Sequence, residues 1–401
     1  MATSPSKTVL PVIVISQFFC TSIWFASNAI LGDIIETFQL ESGFLANLTS
    51  SVQFGFIAGT FLFALFTIAD RYSPSKVFFV SSIFAALCNL GVTINGIDST
   101  ALLVFRFLTG FFLAGIYPVG MKIASDHYQK GLGKSLGFLV GALIVGTSFP
   151  HLLKSITTDL PWKAVVYSTS CLSLLGGLAM ISLVPDGPFR KRSKRLELTS
   201  FFKDYSNKNF RSASLGYFGH MWEVYAFWAF VPVMLTAFDA RHSALNLNIP
   251  LFSFAVIASG GLACVIGGIL SLRYGAKRIA TLALLCSCLC CLFSPLFLLG
   301  DSAILLMVFL FFWGMTVAAD SPLFSTLVAQ NATEESRGSA LTIMNCIGFS
   351  ITIASLQFTG FLLRFFNPEI VFTILALGPI LGLIALVGNK NPQKMTKSIH
   401  P

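Results

Sequence analysis

Stretches of about 20 apolar residues, the length of helix that crosses the hydrocarbon core of a bilayer, recur along this chain with only short polar segments between them. The run "GYFGHMWEVYAFWAFVPVML", residues 216–235, is one of them. In lipid every backbone N–H and C=O must be satisfied within the segment or by protein around it, so runs of this length fold as helices. Composition agrees: 11% of the residues are charged and 55% hydrophobic, where a soluble domain carries roughly 25% charged residues. The apolar runs place spans near 10–32, 44–69, 76–95, 101–124, 135–153, 164–184, 213–236, 250–272, 279–299, 302–326, 339–363 and 369–388. The expected fold class is an all-α polytopic membrane protein with about twelve transmembrane helices. Too little sequence lies outside the spans for a soluble catalytic domain. The first span starts after Lys7 and no small-residue cleavage site follows it, so it reads as a retained helix rather than a removed signal peptide.

Orientation follows from the basic residues. Of the 26 Lys and Arg, 21 fall in segments on the amino-terminal side, four on the other side (Lys154, Lys163, Arg241 and Arg364), and only Arg106 within a span. This bias places both termini in the cytoplasm of a multi-pass protein of the inner (plasma) membrane. It also accounts for the net charge of +9 without nucleic acid, because basic inner loops suit anionic lipid. The nine cysteines all lie within spans, where they behave as small apolar residues. Those at 286–291 lack partner ligands at metal-site spacing. No disulfide, metal or cofactor is expected.

The longest interior polar segment, "DGPFRKRSKRLELTSFFKDYSNKNFRS", follows the sixth span. It divides the chain into a first six-helix bundle over 1–185, a basic cytoplasmic linker over 186–212 and a second six-helix bundle over 213–401. The halves echo each other: "GTFLFALFTIADRYSPSK" after the second span pairs with "GLACVIGGILSLRYGAKR" after the eighth, so that Gly59 and Gly261, Arg71 and Arg273, and Tyr72 and Tyr274 share one offset. A looser echo links the loop after the fourth span to that after the tenth. Repeated bundles of this kind hold their binding site between the halves near the midplane and expose it alternately to either side.

These residues resemble the major facilitator superfamily of secondary transporters, over nearly the whole chain. Its signature in the second-to-third loop is half present as Asp70, Arg71 and Lys76. The second half keeps Gly268, Arg273, Gly275, Lys277 and Arg278, with Leu272 at the acidic position, and "RFLTGFFLAG" matches the Arg-x-x-x-Gly pattern through Arg106 and Gly110. The stretches "LAGIYPVGMKIASDHY", "GALIVGTSFPHLL" and "GHMWEVYAFWAFVP" are similar to a branch described as nitrate/nitrite-porter-like or cyanate-transporter-like. The arginine that nitrate porters place in the second and eighth spans is missing from both. The resemblance implies a conformational gate at Asp70, Arg71 and Arg273, and for Arg106 a part in proton coupling or in buried charge pairing.

An ionisable residue at membrane depth costs at least about 2.5–3.5 kcal/mol at a helix centre, so it needs a partner, a wet cavity or a function. Few occur here. His220 and Glu223 are three apart and share a helix face that Phe227 continues, with Trp222 and Tyr225 around them. Glu223 is the first candidate for proton coupling; the alternative is a carboxyl bonded to a neighbouring helix, just as His220 could simply bridge two helices. Asp320 stands between Trp313 and Phe324 in "WGMTVAADSPLFSTL", either as a solute ligand and proton carrier or as a structural acid. Arg106, on a face with Gly110, Leu113 and Tyr117, would pair with a carboxylate or bind an anionic solute. Gln17, Thr21, Trp24 and Asn28, at i, i+4, i+7 and i+11 of the first span, form a polar stripe that would line the route or bond to other helices. Gln53, Asn345 and Gln357 are less organised, and His151 with Lys154 could anchor the outer surface. Gly137 and Gly141 read as close helix packing.

The function expected is a secondary active transporter, not an enzyme, that moves a small polar or anionic organic solute by alternating access. Proton-coupled uptake is favoured because the glycine-proline motif of proton-coupled exporters is lacking. A polyspecific exporter of hydrophobic or cationic compounds is the alternative suggested by the 41 phenylalanines, and a non-transporting membrane sensor is the second. The expected partners are a small-molecule solute, protons and the bilayer, with no nucleic acid, for a monomeric protein. An intramembrane enzyme would need a clustered nucleophile and base or a metal set, and the five histidines are scattered.

Overall fold

The computed structural model describes residues 8–41, 43–128, 132–157, 160–190, 198–242, 245–333 and 335–388. The basic residues expected at 1–7 and 389–401, Lys130, His400 and the most basic part of the linker, 191–197, lie outside the described residues. Every described element is helical. In the first half these are α1 (Val9–Thr21), α2 (Ala26–Ala29), α3 (Leu31–Phe38), α4 (Phe44–Leu65), α5 (Ile68–Arg71), α6 (Pro74–Gly91), α7 (Ser99–Leu113), α8 (Tyr117–His127), α9 (Leu132–Ile156) and α10 (Lys163–Leu183). The short α11 (Leu198–Tyr205) precedes the second half, which comprises α12 (Lys208–Arg241), α13 (Ile249–Tyr274), α14 (Ala276–Leu298), α15 (Ala303–Ala319), α16 (Ser321–Asn331), α17 (Arg337–Leu362), α18 (Pro368–Val371) and α19 (Leu377–Gly388). Among the described residues, eleven helical segments are long and apolar enough to cross a membrane, and α1 is a shorter apolar helix.

Local chemistry sets where these helices begin. Asp98 accepts from the Ala101 amide at 2.8 Å, Asn248 from Leu251 at 3.1 Å and Ser302 from Leu305 at 3.3 Å, each satisfying an amide that has no partner within its own helix. Pro74, Pro118, Pro250 and Pro322 occupy first-turn positions, where the missing N–H costs nothing. Gly275 takes φ +87° between α13 and α14, a left-handed turn for which glycine is the natural residue.

Three of the interruptions within the expected spans bear on the candidate site. The first span breaks after Thr21 and again at Ile30, so Gln17 and Thr21 belong to α1 while Trp24 lies in the break and Asn28 in α2. The four-residue stripe is therefore not one face of one helix, although all four residues are buried. The fourth span breaks at 114–116, between α7 and α8, which separates Tyr117 from the helical face of Arg106. The tenth breaks at Asp320, between α15 and α16, directly before Pro322. A proline removes one amide donor and crowds the preceding turn, which explains why both breaks precede one.

The last two breaks occupy corresponding places in the two halves, and the same duplication governs packing. A Cβ on Gly110 of α7 would stand 1.9 Å from the Val52 carbonyl oxygen of α4, and one on Gly314 of α15 would stand 2.4 Å from the Val256 carbonyl oxygen of α13. Only glycine allows these crossings. Between the halves, α9 packs along α13 and α4 along α17. Gly141 and Gly261 meet at the first crossing, where a Cβ on either would lie 3.1 Å or 3.0 Å from the other's carbonyl oxygen. Gln357 reaches across to Asn47 and Ser50 at 3.2 and 3.0 Å, and Ser155 donates to Asn248 at 3.2 Å.

Candidate functional site

Arg106 is fully buried in α7. Its Nη1 donates to the Ile23 carbonyl at 3.3 Å and to Asn89 Oδ1 at 3.2 Å, and its Nη2 donates to the Trp24 carbonyl at 2.5 Å. Two of the three acceptors are backbone carbonyls in the break of the first span. Among the described residues Arg106 has no carboxylate partner, so its charge is solvated by neutral dipoles. Asn89 of α6 is held in turn by Thr169 and Ser170 of α10 at 3.2 and 2.9 Å.

Glu223, buried in α12, receives three hydrogen bonds. Trp313 Nε1 of α15 donates to Oε1 at 2.6 Å, Cys291 Sγ to the same oxygen at 3.2 Å, and Ser287 Oγ of α14 to Oε2 at 2.9 Å. One turn away, His220 faces a different neighbour: its Nδ1 lies 2.9 Å from Asp320 Oδ1 and its Nε2 2.9 Å from Ser321 Oγ. Phe324 and Tyr217 flank the ring, with centroids at 6.0 and 6.3 Å. The helix face expected to be shared by His220 and Glu223 thus serves two separate hydrogen-bond networks. The break at Asp320 likewise divides the aromatic–acid–aromatic stripe: Trp313 serves Glu223, and Phe324 serves His220. A carboxylate beside an imidazole at 2.9 Å can hold one proton in either position, whereas the donors around Glu223 suit its ionised form.

Between the halves stands an aromatic cluster. Trp24 lies 4.9 Å from Phe56, 6.0 Å from Tyr225 and 6.0 Å from Phe349, measured between ring centroids. Tyr225 lies 5.0 Å from Trp228, and Tyr117 6.5 Å from Phe56. The Tyr217 hydroxyl donates to Asn345 Oδ1 at 3.0 Å. Among the described residues the buried indole N–H groups of Trp24 and Trp228 and the side-chain amides of Gln17 and Gln53 have no hydrogen-bond partner, whereas Thr21 donates to the Gln17 carbonyl and Asn28 to Thr49, both at 2.8 Å. Among the described residues the hydrogen bonds of Arg106 reach this cluster at the Trp24 carbonyl. Glu223 and Asp320 make their contacts within the second half, so the three charged groups do not meet in one shared chamber.

At the end carrying the basic loops, Lys122 lies 2.8 Å from Asp70 and 3.7 Å from Asp126. Arg190, at the start of the linker, pairs with Asp186 at 2.7 Å and donates to the Tyr72 carbonyl at 2.6 Å. The other end of the linker joins the second half, where Asp204 of α11 accepts from Ser336. Among the described residues, Asp70 is the one expected gate residue with an ion-pair partner: Arg71 donates to Thr67 at 3.2 Å, and Arg273 is exposed with its guanidinium 5.3 Å from the Tyr274 ring centre.

The sequence profile of the Major Facilitator Superfamily matches residues 13–212 and again residues 213–400. The chain belongs to this superfamily. It is a multi-pass membrane transporter and not an enzyme. A search of curated proteins found none that matches it. Among solved structures it is similar to the nucleoside transporter NupG, in a mutant form, with 16% identity and a TM-score of 0.71 over 95% of this chain and 99% of that one. It is also similar to the human organic anion transporter MFSD10 (TETRAN), with 14% identity and a TM-score of 0.75 over the same shares. Nothing in either match singles out the nitrate/nitrite-porter-like or cyanate-transporter-like branch.

Within this superfamily member the partners that sequence reading missed are Asn89, Ser287, Cys291 and Ser321. Asn89 carried a signal, as an amide in the middle of the third apolar run, whose other amide, Asn95, stands at its end. Ser287 and Cys291 carried none, because serine and cysteine are ordinary filler in membrane helices.

Proposed function

We propose that the protein is a proton-coupled secondary transporter of the inner (plasma) membrane, with both termini cytoplasmic, that takes up a small polar or anionic organic solute by alternating exposure of the interface between its halves. The observation that carries this reading is the buried His220–Asp320 pair, 2.9 Å apart, at the point where the tenth span is interrupted. A proton can be gained or lost there without leaving a bare charge in lipid, and the broken helix beside it provides a place for movement. Glu223 is the second proton carrier, one turn along the same helix.

The solute lies against Trp24, Tyr225 and Phe349, where the unpaired indole donors of Trp24 and Trp228 favour a ligand rich in acceptors. The neutral solvation of Arg106 leaves a positive potential behind Trp24, which supports an anionic or electron-rich group. The bias of 21 in 26 basic residues toward one side supports the cytoplasmic assignment, and the Asp70–Lys122 contact is a gate element on that side. The solved relatives are transporters of nucleosides and of organic anions, and at their low identity they do not choose between solutes.

The test is proton flux in proteoliposomes loaded with a pH dye and challenged with pools of nucleosides, amino acids and carboxylates. Solute-dependent proton entry that disappears in Asp320→Asn supports the reading; a wild-type protein that moves a solute with no proton flux contradicts it. The aromatic cluster also favours a second reading, a polyspecific exporter. Lowered cellular accumulation of several unrelated hydrophobic compounds on overexpression would favour that alternative.

A further inference from the structure

At the end opposite the basic loops a cavity of about 390 Å³ opens between the halves, within the range of roughly 300–1,000 Å³ typical of small-molecule sites. The first half contributes Asn28, Leu31 and His151 to its walls, and the second Ala229, Pro232 and Thr236. Neither the aromatic cluster nor the acidic networks reach it.

Two polar groups in this wall are unsatisfied. Among the described residues, His151 Nε2 has no hydrogen-bond partner and His151 is 2% exposed; Asn28 Oδ1 has none and Asn28 is 6% exposed. Asn28 Nδ2 donates to Thr49 Oγ1 at 2.8 Å, which fixes the amide so that the free atom is an acceptor. Thr236 donates to the Pro232 carbonyl at 2.8 Å and is thus committed to its own helix. Buried polar groups are normally paired, and a pair of exceptions on residues that line one cavity asks for an external partner. Among the described residues no Asp, Glu, Lys or Arg lines the space. Lys154, one turn beyond His151, is tied to Asp33 at 2.7 Å, so a charged group entering here would lose water without gaining a counter-ion.

We infer that this cavity is an access-side subsite for a neutral, planar polar group that carries an N–H or O–H donor beside a carbonyl-type acceptor, as in a carboxamide or the lactam edge of a nucleobase. The donor bonds to Asn28 Oδ1, the acceptor takes the Nε2 proton of His151, and the apolar body lies on Leu31, Ala229 and Pro232. The inference deepens the transport reading and rests on it for the role of the subsite, since a solute would meet this cavity before the aromatic cluster. Binding itself is independent of proton coupling.

The test is ligand binding to the purified full-length protein in detergent, by calorimetry and thermal shift, with two matched pairs of probes: uracil against orotate and nicotinamide against nicotinate. At least one neutral probe is expected to bind, with its anionic partner weaker by about tenfold or more, the equivalent of one lost hydrogen-bonded contact. His151→Ala and Asn28→Leu are each expected to weaken the neutral probe by a similar factor, while His151→Gln, which restores a donor of comparable reach, recovers most of the affinity. The unliganded melting curve of each variant reports whether it is folded, and Asn28→Leu carries the test should His151→Ala fail to fold. Failure of both neutral probes to bind, equal binding by the anionic partners, or affinity unchanged in His151→Ala and Asn28→Leu overturns the inference. Solute-driven proton flux unaltered by His151→Ala would remove the subsite and leave the transport reading standing. Probe binding at His151 with no flux of any solute would do the reverse.

Discussion

The guanidinium of Arg106 closes the break in the first membrane helix by donating to the Trp24 carbonyl at 2.5 Å. A helix interrupted at membrane depth frees carbonyls that no water can reach, and the planar fork of arginine supplies several donors in fixed directions where an ammonium supplies a point charge. Arg106→Ala would orphan these carbonyls and Asn89 together. With hydrogen bonds to charged groups worth about 1.5–3 kcal/mol each, it is expected to lower the melting temperature of the purified protein strongly, and Arg106→Lys to fall between alanine and wild type. Thermal unfolding in detergent checks the order; a wild-type melting temperature for Arg106→Ala would show that the clasp contributes nothing.

The duplicated glycine crossings make a second expectation. Gly110→Ala and Gly314→Ala each press a methyl against backbone, at 1.9 and 2.4 Å from a carbonyl oxygen, and backbone cannot step aside as a side chain can. Both are expected to reduce folded yield sharply, at the upper end of the roughly 1–3 kcal/mol of overpacking or beyond. Gly268→Ala, with nothing within 4 Å of its Cβ, is expected to be tolerated. Monodisperse yield on size exclusion distinguishes them, and equal loss in all three would contradict the packing argument.

Much of this architecture was legible in the sequence because the bilayer sets the length of each apolar run, and Gly, Pro and basic residues punctuate the runs. The break at Asp320 had a visible cause in Pro322. The break after Thr21 had none: Ser22–Phe25 contains neither Gly nor Pro, and it depends on an arginine more than eighty residues away in the chain. The site shows the same division. His220, Glu223 and Asp320 were found because charge at membrane depth is costly, but their partners were not, since His220 to Asp320 and Glu223 to Trp313 are contacts between separate helices. Helical spacing places His220 and Glu223 on one face and says nothing about which neighbour each meets.

His220 and Asp320 are expected to act as one unit. If the proton is shared between them, His220→Gln and Asp320→Asn should each abolish most of the gradient-driven rate, and the double variant should cost little beyond either alone. Initial uptake rates in a double-mutant cycle test this. Additive losses would mean that the two residues work independently.

Ser287 carries a separate expectation. Of the three donors around Glu223, the indole N–H can only donate, whereas the Ser287 hydroxyl can turn and accept from a protonated carboxyl. Ser287→Ala is therefore expected to slow gradient-driven uptake severalfold while sparing exchange of solute at equal pH. Parallel exchange and uptake assays in proteoliposomes read the difference, and equal slowing of both would point to a packing defect.

The most direct measurement of proton coupling is solute accumulation in proteoliposomes under an imposed pH gradient, compared between wild type, Glu223→Gln and Asp320→Asn. Wild type is expected to concentrate its solute against a gradient, and the two variants to equilibrate it without concentrating it. Accumulation undiminished in both variants, or a wild-type protein indifferent to the pH gradient, would contradict the assignment of proton coupling to these buried acids.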